Sequence, residues 1–272
     1  MSARAEGQGP ARARATVARA GAALGDPRAR PNLGWLEFLA DAPAKSLAPY
    51  LIELGEATAV EQEIRRRHRE AGRPNYAQFR APFELYALVR HLRPDHVIET
   101  GVSSGVSSAH LLLALRRNGR GVLHSIDLPT RQRGPTHGAR ETPVALPPGR
   151  ESGWAIPEEL RAGWDLRIGP SELRLPELVD ELSSVGLFLH DSRHTPAHLA
   201  FELATVRPKL TPGAVVLADN TVWTGQAFPR FARSLGVRPL ARGRSDLVGL
   251  RVPAPAAPRG SDRARGRAPS GL

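Results

Sequence analysis

Residues 97–108 read Val-Ile-Glu-Thr-Gly-Val-Ser-Ser-Gly-Val-Ser-Ser. An apolar run ends on Glu99, and a small-residue turn runs from Gly101 through Ser103 to Gly105. An apolar helical pattern follows, with Ala109, Leu111, Leu112, Leu113 and Leu115. A strand that breaks into such a turn and re-enters as a helix presents backbone N–H groups in an open crevice. Glycine and serine let a ligand approach closely, because no large side chain stands in the way. A second acid, Asp127, ends the next apolar run at 121–126. An acid about 20 residues past the turn is where a ribose hydroxyl pair is held. Gly101, Ser103, Gly105 and Asp127 are therefore expected to bind a nucleoside-bearing cofactor, with Glu99 close by. Two further strand ends carry Asp191 and the pair Asp219-Asn220. Any one of these acids could merely cap the helix that follows it, but four on one rim predict a site.

The elements that must place these residues alternate from His96 onwards. Strands are expected at 96–100, 121–126, 164–168, 185–190, 213–218, 237–241 and 246–251, with helices at 105–117, 157–162, 172–183, 196–207 and 225–234. Such alternation gives a parallel sheet covered by helices on both faces. Only Arg242-Gly243-Arg244-Ser245 separates the last two strands, too few residues for a parallel crossover, so the final strand turns back antiparallel. The fold class expected is α/β: a doubly wound, seven-stranded, mostly parallel sheet with an antiparallel last strand. Helical spacing at 35–40, 47–69 and 83–92 predicts an N-terminal helical cap or oligomer contact. Residues 129–153, rich in Pro, Gly and Arg, read as a long lid or substrate loop.

The chain has 272 residues and a net charge of +11, of which residues 1–31 and 251–272 together carry +8. That basicity lies in Ala/Arg/Pro/Gly-rich ends with too little apolar content to fold, which argues against a nucleic-acid partner. The organisation expected is a disordered basic tail (1–31), a helical cap (32–93), a catalytic α/β domain (94–251) and a second disordered basic tail (252–272). There is no cysteine, so disulfides and thiolate metal sites are excluded. No apolar run is long enough to span a membrane, and no apolar secretory core opens the chain. A cytoplasmic location is expected.

The order and spacing of these pieces resemble the class I, Rossmann-like S-adenosylmethionine-dependent methyltransferases over about residues 76–251. Glu99-x-Gly101-x-x-x-Gly105 resembles their glycine-rich motif, and Asp127 matches the acid that holds the ribose. Ile168-Gly169-Pro170-Ser171, followed by Leu175-Pro176-Glu177-Leu178, resembles the segment near the adenine, which implies cofactor contacts from Gly169 and Ser171. Leu210-Thr211-Pro212-Gly213-Ala214 resembles the L-x-P-G-G turn, with Ala214 where a second glycine is usual. Asp219-Asn220-Thr221-Val222-Trp223-Thr224-Gly225 resembles the DN-x-x-W-x-G segment of the cation-dependent O-methyltransferases.

That likeness implies a divalent cation, Mg²⁺, held by Asp191, Asp219 and Asn220. Oxygen ligands suit such a hard ion. The likeness implies further that Asp191 also lies against the cofactor and takes part in catalysis. The group's D-x-D-K pattern is absent, because Ser192-Arg193-His194 follows Asp191. His194 is the candidate base in place of that lysine, since a free imidazole titrates near working pH. Trp223 is expected as a pocket wall or as ordinary packing. The implied function is methyl transfer from S-adenosyl-L-methionine to a small-molecule acceptor, at a hydroxyl.

Three other functions share parts of this pattern. Gly101-Val102-Ser103-Ser104-Gly105 spells the G-x-S-x-G elbow of serine hydrolases. However, the elbow would follow the first strand, and no histidine occurs after His198 to complete a triad. A dinucleotide-dependent oxidoreductase would use Asp127 but lacks the G-x-G-x-x-G triplet. A non-catalytic binding protein on the same fold is the third, since fold alone does not fix function.

Overall fold

The computed structural model describes Ala15, residues 31–72, Phe79, 81–129 and 146–254. The two tails, apart from Ala15, residue 31 and residues 252–254, and residues 130–145 of the expected loop lie outside the described residues. Four helices come first: α1 (Leu33–Ala40), α2 (Ala44–Ile52), α3 (Leu54–Glu70) and α4 (Pro82–Leu92). Then follow β1 (His96–Thr100), α5 (Val106–Asn118), β2 (Val122–Asp127), β3 (Trp164–Ile168), α6 (Ser171–Glu181), β4 (Val185–His190) and α7 (Pro196–Val206). The chain closes with β5 (Leu210–Ala218), α8 (Ala227–Ser234), β6 (Leu240–Ala241) and β7 (Val248–Arg251).

The seven strands lie in the order β3-β2-β1-β4-β5-β7-β6. The first five are mutually parallel, and β7 enters antiparallel between β5 and β6. Side chains alternate across the sheet with period two. Val97, Leu187, Leu189, Val215 and Leu217 face one core, and Ile98, Phe188, Val216 and Ala218 face the other. The second core is closed by α6, α7 and α8 through Leu178, Leu203, Phe228 and Phe231. The first contains Trp35, Leu36 and Leu39 of α1, Phe83 and Tyr86 of α4, and the leucines of α5. The N-terminal helices expected from the sequence are present, and they share this core with one face of the sheet.

Long-range polar contacts lock those helices to the last hairpin. Trp35 Nε1 donates to the Leu240 carbonyl at 2.8 Å. The buried Glu84 accepts from the Asn32 N–H at 2.8 Å and is paired with the Arg242 guanidinium. Burial pushes the Glu84 carboxyl above its ordinary pKa, and the Arg242 charge opposes that shift.

Several boundaries differ from expectation for local reasons. The helix expected at 47–69 breaks at Glu53, whose carboxylate there accepts from Tyr86 Oη at 2.6 Å and Arg90 Nε at 2.8 Å. The helix expected at 157–162 is a single 3₁₀ turn, Glu158–Leu160. It is confined between Pro157 and Gly163, whose φ is +81°, and so short a stretch cannot sustain an α-helix. The strand expected at 237–241 keeps only Leu240–Ala241 after the left-handed Gly236, and the one expected at 246–251 begins at Val248. In contrast, β5 starts early, at Leu210, and pairs with Val185 across an irregularity before regular register resumes at Leu187↔Val215.

Candidate functional site

The C-terminal ends of β1, β2, β4 and β5 carry the residues singled out by the sequence. At β1 the chain enters the turn with Gly101 at φ +86°, Ser103 at +51° and Gly105 at +91°, left-handed conformations that favour glycine. A Cβ on Gly101 would overlap the Asp191 carbonyl, and one on Gly105 would overlap Ile156. The glycines thus let two neighbouring segments close on the turn. The Asp191 N–H donates to the Thr100 carbonyl at 2.8 Å, and the Gly101 N–H to Ile126 at 2.9 Å. Ser103 Oγ is buried and has no hydrogen-bond partner among the described residues.

Glu99 occupies a different place from the one expected. It is fully buried beneath the turn and accepts from Ser107, from Ser108 Oγ at 2.6 Å and from Ser125 Oγ at 3.0 Å. Burial pushes its carboxyl up to about 7 against the pull of those hydroxyls. Its side chain braces the first turn of α5 and does not reach the rim.

Asp127 ends β2 and accepts the Val102 N–H at 3.1 Å, so it is joined directly to the glycine turn. Ser152 Oγ donates to its other oxygen. Burial raises its pKa, opposed by the bonds from Ser152 and from the turn's N–H groups. A carboxylate offers about four acceptor positions, so capacity for a ligand hydroxyl remains. The segment carrying Ser152 runs across the turn. The Gly153 N–H donates to the Ser103 carbonyl at 2.8 Å and the Ala155 N–H to Ser104 at 3.0 Å. From the far side His68 of α3 packs against Trp154, with ring centroids 5.0 Å apart.

Asp191, His194, Asp219 and Asn220 come together at the ends of β4 and β5. His194 is buried, with Nε2 3.5 Å from Oδ1 of the partly exposed Asp191. Asp219 is 6% exposed, and its Oδ1 has no hydrogen-bond partner among the described residues. Burial, then the charge of Asp191, pushes the Asp219 carboxyl up to about 7, while the Asn220 N–H acts the other way. Asp246, in the turn before β7, adds a third negative charge felt by Asp219. It is placed there because its carbonyl accepts the Thr221 N–H at 3.0 Å. Asp246 was not singled out from the sequence; no local pattern marks a loop acid that a hairpin brings back to the rim. Among the described residues no group of three or more His, Cys, Asp or Glu side chains is arranged as a metal shell.

Gly169 follows β3 with its N–H donating to the Asp127 carbonyl at 2.9 Å. The Ser171 hydroxyl, expected at the cofactor, is instead turned inward. It donates to Glu202 Oε1 at 2.6 Å and lies 3.0 Å from His198 Nε2. Glu202 was also missed, although a signal existed: with His198 it forms an i, i+4 pair inside the apolar stripe Leu199, Leu203 and Val206. Around the rim stand exposed apolar side chains, namely Leu128, Ile168, Val222 and Trp223, the last 40% exposed. Trp223 is thus open to solvent and not packed into a core.

Residues 98–221 match the family model described as a methyltransferase domain. No curated protein sequence matches the chain. Among solved structures, the O-methyltransferase TomG from Streptomyces achromogenes, involved in tomaymycin synthesis and solved in complex with SAM, is similar at 19% identity and a TM-score of 0.51. The match covers 72% of this chain and 90% of that one. The O-methyltransferase NovP is similar at 14% identity and a TM-score of 0.53, covering 73% and 99%. At these identities the likeness is one of fold. The family match includes the turn, Asp127, Asp191 and Asp219.

Proposed function

We propose that this chain, a class I S-adenosylmethionine-dependent methyltransferase, methylates a hydroxyl of a small molecule. The observation that carries the reading is the junction of Asp127 with the glycine turn, which sets a buried carboxylate beside the Ser103 hydroxyl, itself without a hydrogen-bond partner among the described residues. When bound, S-adenosylmethionine supplies a methyl group activated by its sulfonium. Asp127 would hold the ribose hydroxyls, Gly101, Ser103 and Gly105 the amino-acid end, and Gly169 the neighbourhood of the base. Leu128 and Ile168 offer apolar surface to that base, and Val222 and Trp223 offer it to the acceptor.

The acceptor hydroxyl must lose its proton as it attacks. His194 is the group that takes it, and Asp191, with Oδ1 3.5 Å from Nε2, stabilises the imidazolium that forms. The rest of the acceleration comes from alignment.

A cation is the second element of the proposal. Two neighbouring carboxylates, one with a buried and unpartnered oxygen, repel each other across the rim. Their oxygen chemistry suits Mg²⁺. Asp191, Asp219 and Asn220 would hold it, and it would lower the pKa of the acceptor hydroxyl.

Calorimetric titration with S-adenosylhomocysteine tests the cofactor reading. Binding to the native chain that is lost in Asp127→Ala supports it, and absence of heat with the folded native protein overturns it. Turnover across a set of small phenols and sugars, in excess chelator and after Mg²⁺ is restored, tests the cation. Full turnover in chelator removes it from the mechanism.

A further inference from the structure

Glu202 lies in the middle of α7 with its side chain wholly buried, and the chemistry proposed above does not use it. Five side chains converge on its two oxygens. Oε1 accepts from Ser171 Oγ at 2.6 Å and Ser192 Oγ at 2.9 Å and lies 2.9 Å from His198 Nε2. Oε2 accepts from Thr100 Oγ1 at 2.8 Å and lies 2.7 Å from His190 Nδ1. Thr100 ends β1, Ser171 begins α6, His190 ends β4, and Ser192 belongs to the loop that leads into α7. An uncompensated carboxylate in such a place would be costly. The two imidazoles outweigh the effect of burial and hold its pKa below the ordinary range.

The consequence falls on the loop 190–195. His190 and Ser192 point down to Glu202, whereas Asp191 and His194 stand at the rim. Arg193 points outward, towards Glu172 at 3.5 Å. The His190 ring, pinned through Nδ1, meets the His194 ring edge to face, with centroids 5.5 Å apart and planes at 89°. His194 is thus held between His190 below and Asp191 beside it. Thr195 then closes the loop by capping α7, its Oγ1 accepting the His198 N–H at 3.3 Å.

We infer that Glu202 and His190 are positioning residues for the rim: Glu202 fixes His190 and Ser192 from beneath, and His190 sets the orientation of His194 against Asp191. This rests on the methyl-transfer reading for its purpose but on the geometry alone for its substance. Preorganisation of this kind matters to rate, because a displacement of about 1 Å in a reacting group can cost on the order of a hundredfold.

The test uses the full chain labelled with ¹⁵N-histidine, with His194 ring resonances assigned through His194→Ala and read at one fixed pH without any methyl donor. In Glu202→Gln the His194 ring signals are expected to shift. In His190→Asn, which retains an amide donor to Glu202 but removes the ring edge, they shift as well. Ser192→Ala removes a single hydroxyl and carries the test should Glu202→Gln not fold; it too is expected to move the His194 signals. Unmoved His194 signals in folded His190→Asn and Ser192→Ala proteins would overturn the inference. Shifted signals in a chain that binds no S-adenosylhomocysteine would sink the methyl-transfer reading and leave the positioning role standing.

Discussion

The Gly153 N–H donates to the Ser103 carbonyl at 2.8 Å, so the segment after β2 is stitched to the crest of the glycine turn. Gly153 has φ +72°, and a Cβ there would collide with the indole of Trp164. Gly153→Ala combines a left-handed alanine with that clash, and a loss of about 2 kcal/mol in unfolding free energy is expected. Urea titration measures it. The same variant should weaken S-adenosylhomocysteine binding, because the stitch positions the turn; unchanged stability together with unchanged binding would show that the segment is not part of the site.

Asp127 is where affinity and stability should separate. Asp127→Asn keeps an acceptor for the Val102 N–H but removes the charge that would grip two hydroxyls. A charged hydrogen bond contributes about 1.5–3 kcal/mol, so binding of S-adenosylhomocysteine should weaken by roughly ten- to a hundredfold. The melting temperature of the ligand-free protein should change little. Calorimetry and thermal denaturation on one preparation read both.

His194→Ala should lower kcat by about 10² to 10⁴ with little change in S-adenosylhomocysteine affinity, and Asp191→Asn should lower kcat by as much. Measured in excess chelator, where Asp191 has no cation to hold, the double variant should be scarcely worse than His194→Ala, since the two residues then act on one proton. Fully additive losses would mean that they act separately.

The Glu84–Arg242 pair is buried on both sides, at 1% and 10% side-chain exposure. Arg242→Met leaves the carboxylate without its guanidinium and should cost about 3–5 kcal/mol. Replacing both partners with methionine should recover most of that loss. A single variant as stable as the native chain would show that the Asn32 N–H alone suffices for Glu84.

His68 gives the fold a dependence on acid. Burial, and then the charge of Arg65, holds its pKa down at about 4, against about 6.5 in an unfolded chain. Between those values the unfolded chain binds more protons than the native one, so stability is greatest above pH 6.5 and falls as the pH drops towards 4. The loss is at most about 3 kcal/mol. His68→Phe should flatten the profile of melting temperature against pH over that window. Because His68 packs on Trp154, indole fluorescence of the folded native protein should change as the pH passes through about 4, where His68 itself takes up a proton, and should not change there in the variant.

The strand ends were legible because their signals are local. An apolar run, a turn of small residues and an acid lie within a few positions, and Asp127, Asp191 and Asp219 all reached the rim. Direction was less legible. Glu99 and Ser171 sit at the right ends of the right elements, yet both side chains turn inward, because the hydroxyls of Ser107, Ser108 and Ser125 and the carboxylate of Glu202 draw them there. Ser171 depends on a neighbour 31 positions along the chain, and Glu99 in part on Ser125, 26 positions on. Asp246 illustrates this most plainly, since it is delivered to the rim only by the turn into β7. The placing of α1–α4 within the domain was hidden for the same reason: amphipathic spacing says that a helix buries one face, not against what.

The bond from Trp35 to Leu240 joins residues 205 positions apart. A chain emerging residue by residue from the ribosome therefore synthesises the indole long before the carbonyl that receives it. Until the last hairpin has been made, the face of α1 that carries Trp35 lacks the strand on which it closes. The native packing of α1 should therefore appear only late in synthesis, after the last hairpin has been made.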